Sequence, residues 1–454
     1  MLHRVDHATV IAHRGGEVVV LKDHSVVWAD GFIHWVGPTD ACPANAAGAE
    51  AFDGSRHLVI PGLVNTHHHL YQSLTRCLKA VQDAPLFGWL TQLYQRWKKV
   101  DYAAVKAAAQ ISLAEMLLSG CTTTSDHFYL FPRGSDVRIE AVLEAAESLG
   151  MRIHACRGSM SVGESRGGLP PDVCTQDEDE ILRDCRRVLE RFQDARVGSM
   201  RRIDLAPCAP FSVTAELLRD TADLARSACA LLHTHAAETL DEERYCLERY
   251  GARPIEWLDR IGWLGPDVYL AHCVCLNDHE IARIAATQTG VAHCPCSNMR
   301  LGSGVPPIRR LLQAGAKVGL GVDGSSSNDG GHVLAEARQA LLLQRAVGGP
   351  EALTTAQAFH LVTLGGAAVL NRRELGNLDV GCAADLALYR RDDIALAGAV
   401  EQDPLGALIL CRVARADRVV IAGRTVVREG QVTTLDLPAL IDRFNCLVRA
   451  SFSA

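Results

Sequence analysis

Between residues 58 and 321 the sequence repeats one pattern: a short apolar run, a polar end, then a helical stretch. Apolar runs at 58–64, 122–125, 152–155, 203–206, 230–233, 268–271, 290–293 and 317–321 predict eight strands. Helical spacing occupies 102–118, 138–149, 177–191, 215–227, 254–261, 278–286 and 307–314. Eight strands alternating with helices describe an α/β protein of the (β/α)8 TIM-barrel class. An open doubly wound sheet is the alternative. Against it, no glycine-rich phosphate loop follows the first strand. In a barrel the strand C-termini converge on one face, so polar residues at those ends mark the candidate site.

The chain ends differ from this middle. Four short strand candidates lie within 8–37, with Ala29-Asp30-Gly31 as a hairpin turn signal. Strand-like runs return at 384–389 and 418–427. Both ends are expected to build one small β-sandwich domain, 1–57 with 376–435, around a barrel at 58–375. Residues 436–454 suggest a terminal helix. A chain of 454 residues exceeds one ordinary core, which suits a large domain with an accessory piece.

Composition narrows the function classes. The hydrophobic fraction is 48%, without an apolar run long enough to span a bilayer. Met1-Leu2-His3-Arg4-Val5-Asp6 lacks the layout of a signal peptide. Net charge is −7, with no block of like charges, which argues against nucleic acid as a partner. The expectation is a cytoplasmic protein acting on a small molecule, without a membrane partner. A homo-oligomer is expected, of a size the sequence does not specify. The 16 cysteines are read as small buried hydrophobes kept reduced. None forms a Cys-x-x-Cys pair, against a zinc ribbon or thioredoxin motif.

Strand one leads into Pro61-Gly62-Leu63-Val64-Asn65-Thr66-His67-His68-His69-Leu70. Alternation puts His67 and His69 on one side and His68 on the other. Strand five supplies His233, His235 and Glu238; strand six supplies His272; strand eight supplies Asp323. Neutral imidazoles with a carboxylate suit zinc or ferrous iron. Strand four ends in Pro207-Cys208, without a lysine that could be carbamylated to bridge two metals; one ion is favoured. Singly, each group has an ordinary reading. Glu238 suits a first helical turn, and Asp323 before Gly324 suits a tight turn. His233 and His68 are read as packing or supporting groups. Cys273-Val274-Cys275 and Cys294-Pro295-Cys296 fall at adjacent strand mouths. A thiolate metal site or redox-sensitive rim is one reading, apolar filling the ordinary one.

Together, Pro61 to His69, His235-Ala236-Ala237-Glu238, Ala271-His272 and Gly321-Val322-Asp323-Gly324 fall in one order. With the flanking split sheet, nearly the whole chain resembles the amidohydrolase superfamily, in its cytosine/guanine deaminase and chlorohydrolase branch. A closer likeness, to the 8-oxoguanine deaminases, rests on His67 to Arg76 and Arg157-Gly158-Ser159-Met160. It rests also on Ala209-Pro210-Phe211-Ser212-Val213-Thr214 and Ser297-Asn298-Met299-Arg300-Leu301. Relatives acting on triazines and pterins share much of this framework.

The resemblance implies one Zn2+ per subunit, or Fe2+, held by His67, His69, His235 and Asp323 with water at an open position. It implies Asp323 as the acceptor of the water's proton and Glu238 as the proton shuttle to a ring nitrogen. His272 would hydrogen-bond the attacking oxygen or the tetrahedral centre. The expected reaction converts an amino-purine, 8-oxoguanine first, to urate and ammonia. A pterin (isoxanthopterin), guanine, an aminotriazine or a chlorinated triazine are alternative substrates. A non-catalytic scaffold is disfavoured by the complete ligand set.

Four residues are candidates for substrate contact. Gln72 both donates and accepts, as a purine edge requires. Arg157 could face a ring carbonyl or form a loop salt bridge. Trp89, like Phe87, could stack on a flat ring or pack in the core. His127, at the end of strand two, could line the pocket. Loops at 89–99 and 158–176 are expected over the barrel face.

Overall fold

The computed structural model describes residues 1–411 and 415–452. Residues 412–414, within the expected 376–435 segment, and 453–454, at the end of the expected terminal helix, lie outside the described residues.

Eight parallel strands form one sheet in chain order. They are β1 (Leu63–Asn65), β2 (Cys121–Phe128), β3 (Arg152–Ser159), β4 (Arg201–Pro207), β5 (Leu232–Ala236), β6 (Val268–His272), β7 (Gly290–His293) and β8 (Lys317–Leu320). Thr66, just past β1, donates its N–H to the Leu320 carbonyl of β8 at 2.8 Å, which joins the last strand to the first. The strands are buried on both faces, as a parallel sheet under helices must be. The helices bury one stripe each. Glu178–Phe192 turns Ile181, Cys185, Val188 and Leu189 inward and starts on the Asp177 side-chain cap.

The run predicted as one strand over 58–64 is two. His57–Pro61 belongs to the other sheet, where it pairs with Leu386–Arg390. Only Leu63–Asn65 enters the barrel. Gly62 makes the break: a Cβ there would collide with the Thr122 side chain of β2. Hydrophobicity is continuous across the break, so the apolar run hides it.

Among the described residues the second sheet has nine strands, drawn from both chain ends. Leu2–Arg14 sits between His57–Pro61 and Glu17–Ala29, and Leu386–Arg390, Arg418–Ile421 and Arg424–Arg428 extend the far side. A buried ion pair ties this layer to the barrel. Arg152, at the start of β3, donates from Nε and Nη2 to both oxygens of Asp385 at 3.1 and 3.0 Å. The last helix, Leu437–Ser451, packs Leu440 and Phe444 inward. Among the described residues no helix is long and apolar enough to cross a membrane.

Candidate active site

Past β1 the chain passes through His67, His68 and His69 before a 3-10 turn at Leu70–Thr75. β5 carries His233 and His235, β6 ends on His272, and Asp323 follows β8. The structure brings the predicted ligands together. His67, His69 and His235 present ring nitrogens within 4.8 Å of one another. Asp323 Oδ1 lies 3.3 Å from His67 Nε2 and 3.4 Å from His69 Nε2. His69 Nε2 and His235 Nε2 are 3.1 Å apart.

The bonds behind the rings decide which nitrogens carry protons. His69 Nδ1 faces the His127 carbonyl at 2.7 Å, and His235 Nδ1 faces the Cys208 carbonyl at 2.5 Å. A carbonyl only accepts. Both Nδ1 atoms therefore donate, and both Nε2 atoms keep a lone pair. His233 donates from Nδ1 to the Tyr269 carbonyl at 2.8 Å, so its Nε2 accepts from His67 Nδ1, also at 2.8 Å. His67 Nε2 thus holds a lone pair too, buried and without a hydrogen-bond partner. Burial pushes all three imidazoles down from their ordinary pKa and keeps them neutral. Burial opposes charge on Asp323, while hydrogen bonds donated by Ser297, Ser327 and the Gly324 N–H favour its carboxylate form.

Three lone pairs and one carboxylate oxygen therefore converge with no proton among them. These groups repel one another unless a cation lies between them, and imidazole with carboxylate is the donor set of a zinc-like ion. The residues fit a divalent metal. Ser297 and Ser327 donate their hydroxyls to Asp323 Oδ2 at 2.6 and 3.2 Å, and orient it. His233 has the supporting place expected of it. His68 is buried on the other side, with neither ring nitrogen bonded.

Glu238 and His272 face each other beside this cluster. Glu238 Oε2 is 3.5 Å from His272 Nε2. Its Oε1 is buried without a partner. Burial, then the charges of Asp323 and Glu242, raise the Glu238 carboxyl well above the usual carboxylate range, which favours its protonated form. Asn298 donates its amide to His272 Nδ1 at 3.0 Å, which leaves the Nε2–H facing Glu238. Burial lowers the His272 pKa to about 4, so that ring is neutral. The backbone here is unusual: Ala237, His272, Cys273 and Asp323 all have φ between 51° and 74°. Such left-handed residues other than glycine concentrate at functional sites.

A cleft opens over these groups, with about 430 Å3 of empty space counting its mouth. His69, Gln72, Glu238, His272 and Asp323 line it, with Trp89, Tyr94, Tyr129 and Phe211 among its walls. Among the described residues no lysine or arginine lines it. Gln72 and Trp89, two of the substrate-contact candidates, both line it. The segment expected as a loop at 89–99 is mostly helix, α1 (Leu86–Trp97), and its Leu86, Trp89, Leu90 and Tyr94 form one wall. The 158–176 segment is irregular, with short 3-10 turns at Glu164–Arg166 and Asp172–Cys174.

Two substrate candidates lie elsewhere. β3 runs on to Ser159, so Arg157 lies within the strand, on the opposite face from Cys156. Its guanidinium bonds Asp184 at 2.7 Å, Gln176 at 2.8 Å and the Gly158 carbonyl, and covers the Phe131 ring. The salt-bridge reading is the correct one. His127 points into the barrel beneath the cleft, where Nε2 donates to the Ala206 carbonyl at 3.0 Å. It serves the site through its backbone carbonyl on His69.

The thiol rim is not formed either. Among the described residues no group able to hold a metal contains a cysteine. Burial pushes the Cys275 thiol up to about 11, and Cys273, Cys294 and Cys296 higher still, so all stay protonated. Sequence reading missed Ser327, Asn298, Tyr129 and Glu242. Two signals existed: Asn298 lies in the Ser297–Leu301 motif, and Glu242 has the Thr239-x-x-Glu242 spacing of a capping box.

Residues 58–426 match the model of the amidohydrolase family. The chain is 49% identical over 402 residues to the 8-oxoguanine deaminase of Pseudomonas aeruginosa, spanning 88% of this chain and 89% of that protein. It is 37% identical over 383 residues to an isoxanthopterin deaminase from an unknown prokaryotic organism, spanning 80% of each. Among solved structures, the zinc complex of atrazine chlorohydrolase from Arthrobacter aurescens superposes with a TM-score of 0.93 at 31% identity, over 98% of this chain and 99% of that one. A match along most of the barrel, and relatives this similar over nearly their whole length, establish that the chain belongs to the amidohydrolase family.

Proposed function

We propose that the chain removes the exocyclic amine of an oxidised amino-purine, 8-oxoguanine first, by hydrolysis to urate and ammonia. The carrying observation is geometric: the Glu238 carboxyl faces His272 at 3.5 Å, beside the point where His67, His69, His235 and Asp323 converge. His67, His69, His235 and Asp323 would hold one divalent cation, zinc by donor preference or ferrous iron. When bound, such an ion supplies Lewis acidity and lowers the pKa of water to roughly 7.

The chain's own groups do the rest. Asp323, steadied by Ser297 and Ser327, receives the water's proton. Glu238 gives its proton to the ring nitrogen beside the attacked carbon. His272 Nε2–H hydrogen-bonds the oxygen gained by that carbon. Asp323 then passes the proton it took from water to the amine, and the carbon–nitrogen bond breaks to release ammonia. The added oxygen returns a proton to Glu238 as it becomes the ring carbonyl. Amine is a poor leaving group unless protonated, so a buried acid favours amine over chloride. The aromatic walls and the absence of a lining cation suit a flat neutral ring. Gln72 has the donor and acceptor a purine edge needs. The likeness to an 8-oxoguanine deaminase supports the purine, and the pterin relative favours isoxanthopterin as the second reading.

Ammonia release from 8-oxoguanine, guanine, isoxanthopterin, cytosine and a hydroxytriazine tests the substrate. Highest kcat/KM on 8-oxoguanine is expected; preference for the pterin moves the reading to the second substrate. Glu238→Gln should keep its metal and lose at least about 100-fold in kcat, the scale of general acid–base catalysis. Full turnover in that variant removes Glu238 from the scheme.

A further inference from the structure

Glu242 is a buried carboxylate with no part in the scheme above. It lies in the first turn of α2 (Leu240–Tyr250) and is 1% exposed. Its Oε1 accepts the Ala237 N–H at 3.0 Å, and its Oε2 accepts the Glu238 N–H at 2.8 Å. Thr239 caps the helix, its hydroxyl accepting the Glu242 N–H at 3.4 Å. A capping-box glutamate ordinarily closes on the N–H of the cap residue. Here its reach extends to the two residues before the cap, and the nearer of these is Glu238.

Both peptide units bear on the site. Ala237 has φ 54°, a conformation that needs external support in a residue with a side chain. Its carbonyl accepts the N–H groups of Val274 at 2.9 Å and Cys275 at 2.8 Å, just past His272. The turn that Glu242 grips is therefore bonded to the loop that carries His272. Helix capping alone is a poor account of this carboxylate. A cap is a small gain, while burying a carboxylate that has no ion pair among the described residues is costly.

We propose that Glu242 is a positioning residue for the deamination: it clamps the backbone of Ala237 and Glu238 so that the Glu238 carboxyl stays beside His272 on the leaving-group side of the cleft. This rests on the reading of Glu238 as the proton carrier. A cycle of Glu238→Gln, Glu242→Gln and the double variant tests it, with kcat, KM and metal content measured for each. E242Q should lose about 10- to 100-fold in kcat, as a misplacement of about 1 Å can. Metal content should match the wild type, and KM should stay within about twofold, the pattern of a loss confined to the transition state. In the E238Q background the second substitution should have no further effect, because it acts through a group already removed.

Wild-type kcat in E242Q overturns the proposal, as does an equal loss in both backgrounds. Full activity in E238Q alone is a separate result: it brings down the reading of Glu238. Thr239→Ala, which removes the cap hydroxyl and keeps the carboxylate, should lower the melting temperature and leave kcat near wild type. A kcat loss as large as that of E242Q would make the role one of helix stability and sink the proposal. If E242Q does not fold, Glu242→Asp, with the same charge on a shorter arm, takes its place under the same two overturning results.

Discussion

One imidazole behind another sets the protonation of the whole cluster. His233 is pinned by the Tyr269 carbonyl, so its free nitrogen can only accept, and His67 must turn its lone pair toward the cleft. His233→Phe would keep the stack on the Tyr269 ring, 3.9 Å between centroids, and remove the acceptor. Metal affinity should fall about 10- to 100-fold, the usual effect of losing a partner behind a ligand. Competition with a chelator measures it, and unchanged affinity would mean that the His67 tautomer needs no help. His67, His69, His235 and Asp323 were legible in the sequence because barrel geometry sends every strand end to one face. For Arg157 the sequence left two roles open, for a related reason. Sequence patterning did not reveal that β3 continues past it, and in a strand the neighbouring position faces the other way.

At the scale of an element, α1 is the wall that matters most. Its inward residues Leu86, Trp89, Leu90, Leu93, Tyr94 and Trp97 follow helical spacing. That stripe was present in the sequence. It was read as loop because it lies where a barrel places its first long connection. Trp89 Nε1–H donates to the Ser326 carbonyl at 3.2 Å, which ties the helix to the segment beyond Asp323. Trp89→Phe keeps a ring in the wall and loses this tie. With a net hydrogen-bond contribution of about 1 kcal/mol, kcat/KM should fall about fivefold, and metal content should not change. Steady-state kinetics with metal analysis checks both. The barrel strands were legible in type and order, their ends less so. β1 was the hardest, since His57–Pro61 and Leu63–Asn65 are equally apolar and belong to different sheets.

Across the whole molecule, the seam between the layers is apolar packing, with Ile11, Leu58, Ile60, Ala387 and Tyr389 in one cluster with the barrel, and buried polar ties are set into it. Arg152 and Asp385 form one tie, and neither residue stood out by its sequence context. His13 forms another, its Nε2 donating to Thr363 Oγ1 at 2.9 Å. Burial, then the nearby His360, lowers the His13 pKa from 6.5 to about 4. The unfolded chain therefore takes up a proton below pH 6.5 that the folded chain refuses. The His13 contribution to stability should be level above pH 6.5 and fall as pH drops toward 4, by about 3 kcal/mol. Denaturant unfolding at a series of pH values checks this, and His13→Gln should flatten part of the slope. The two layers also share an unbroken stretch of chain: one strand of the end sheet becomes, across Gly62, the strand that delivers His67 and His69. The family-matched span is thus not an excisable module. Truncation before residue 58 would strip Leu2–Arg14 from one side of the strand that leads into His67 and His69, so the outer layer holds up the cleft from behind as the barrel holds it from within.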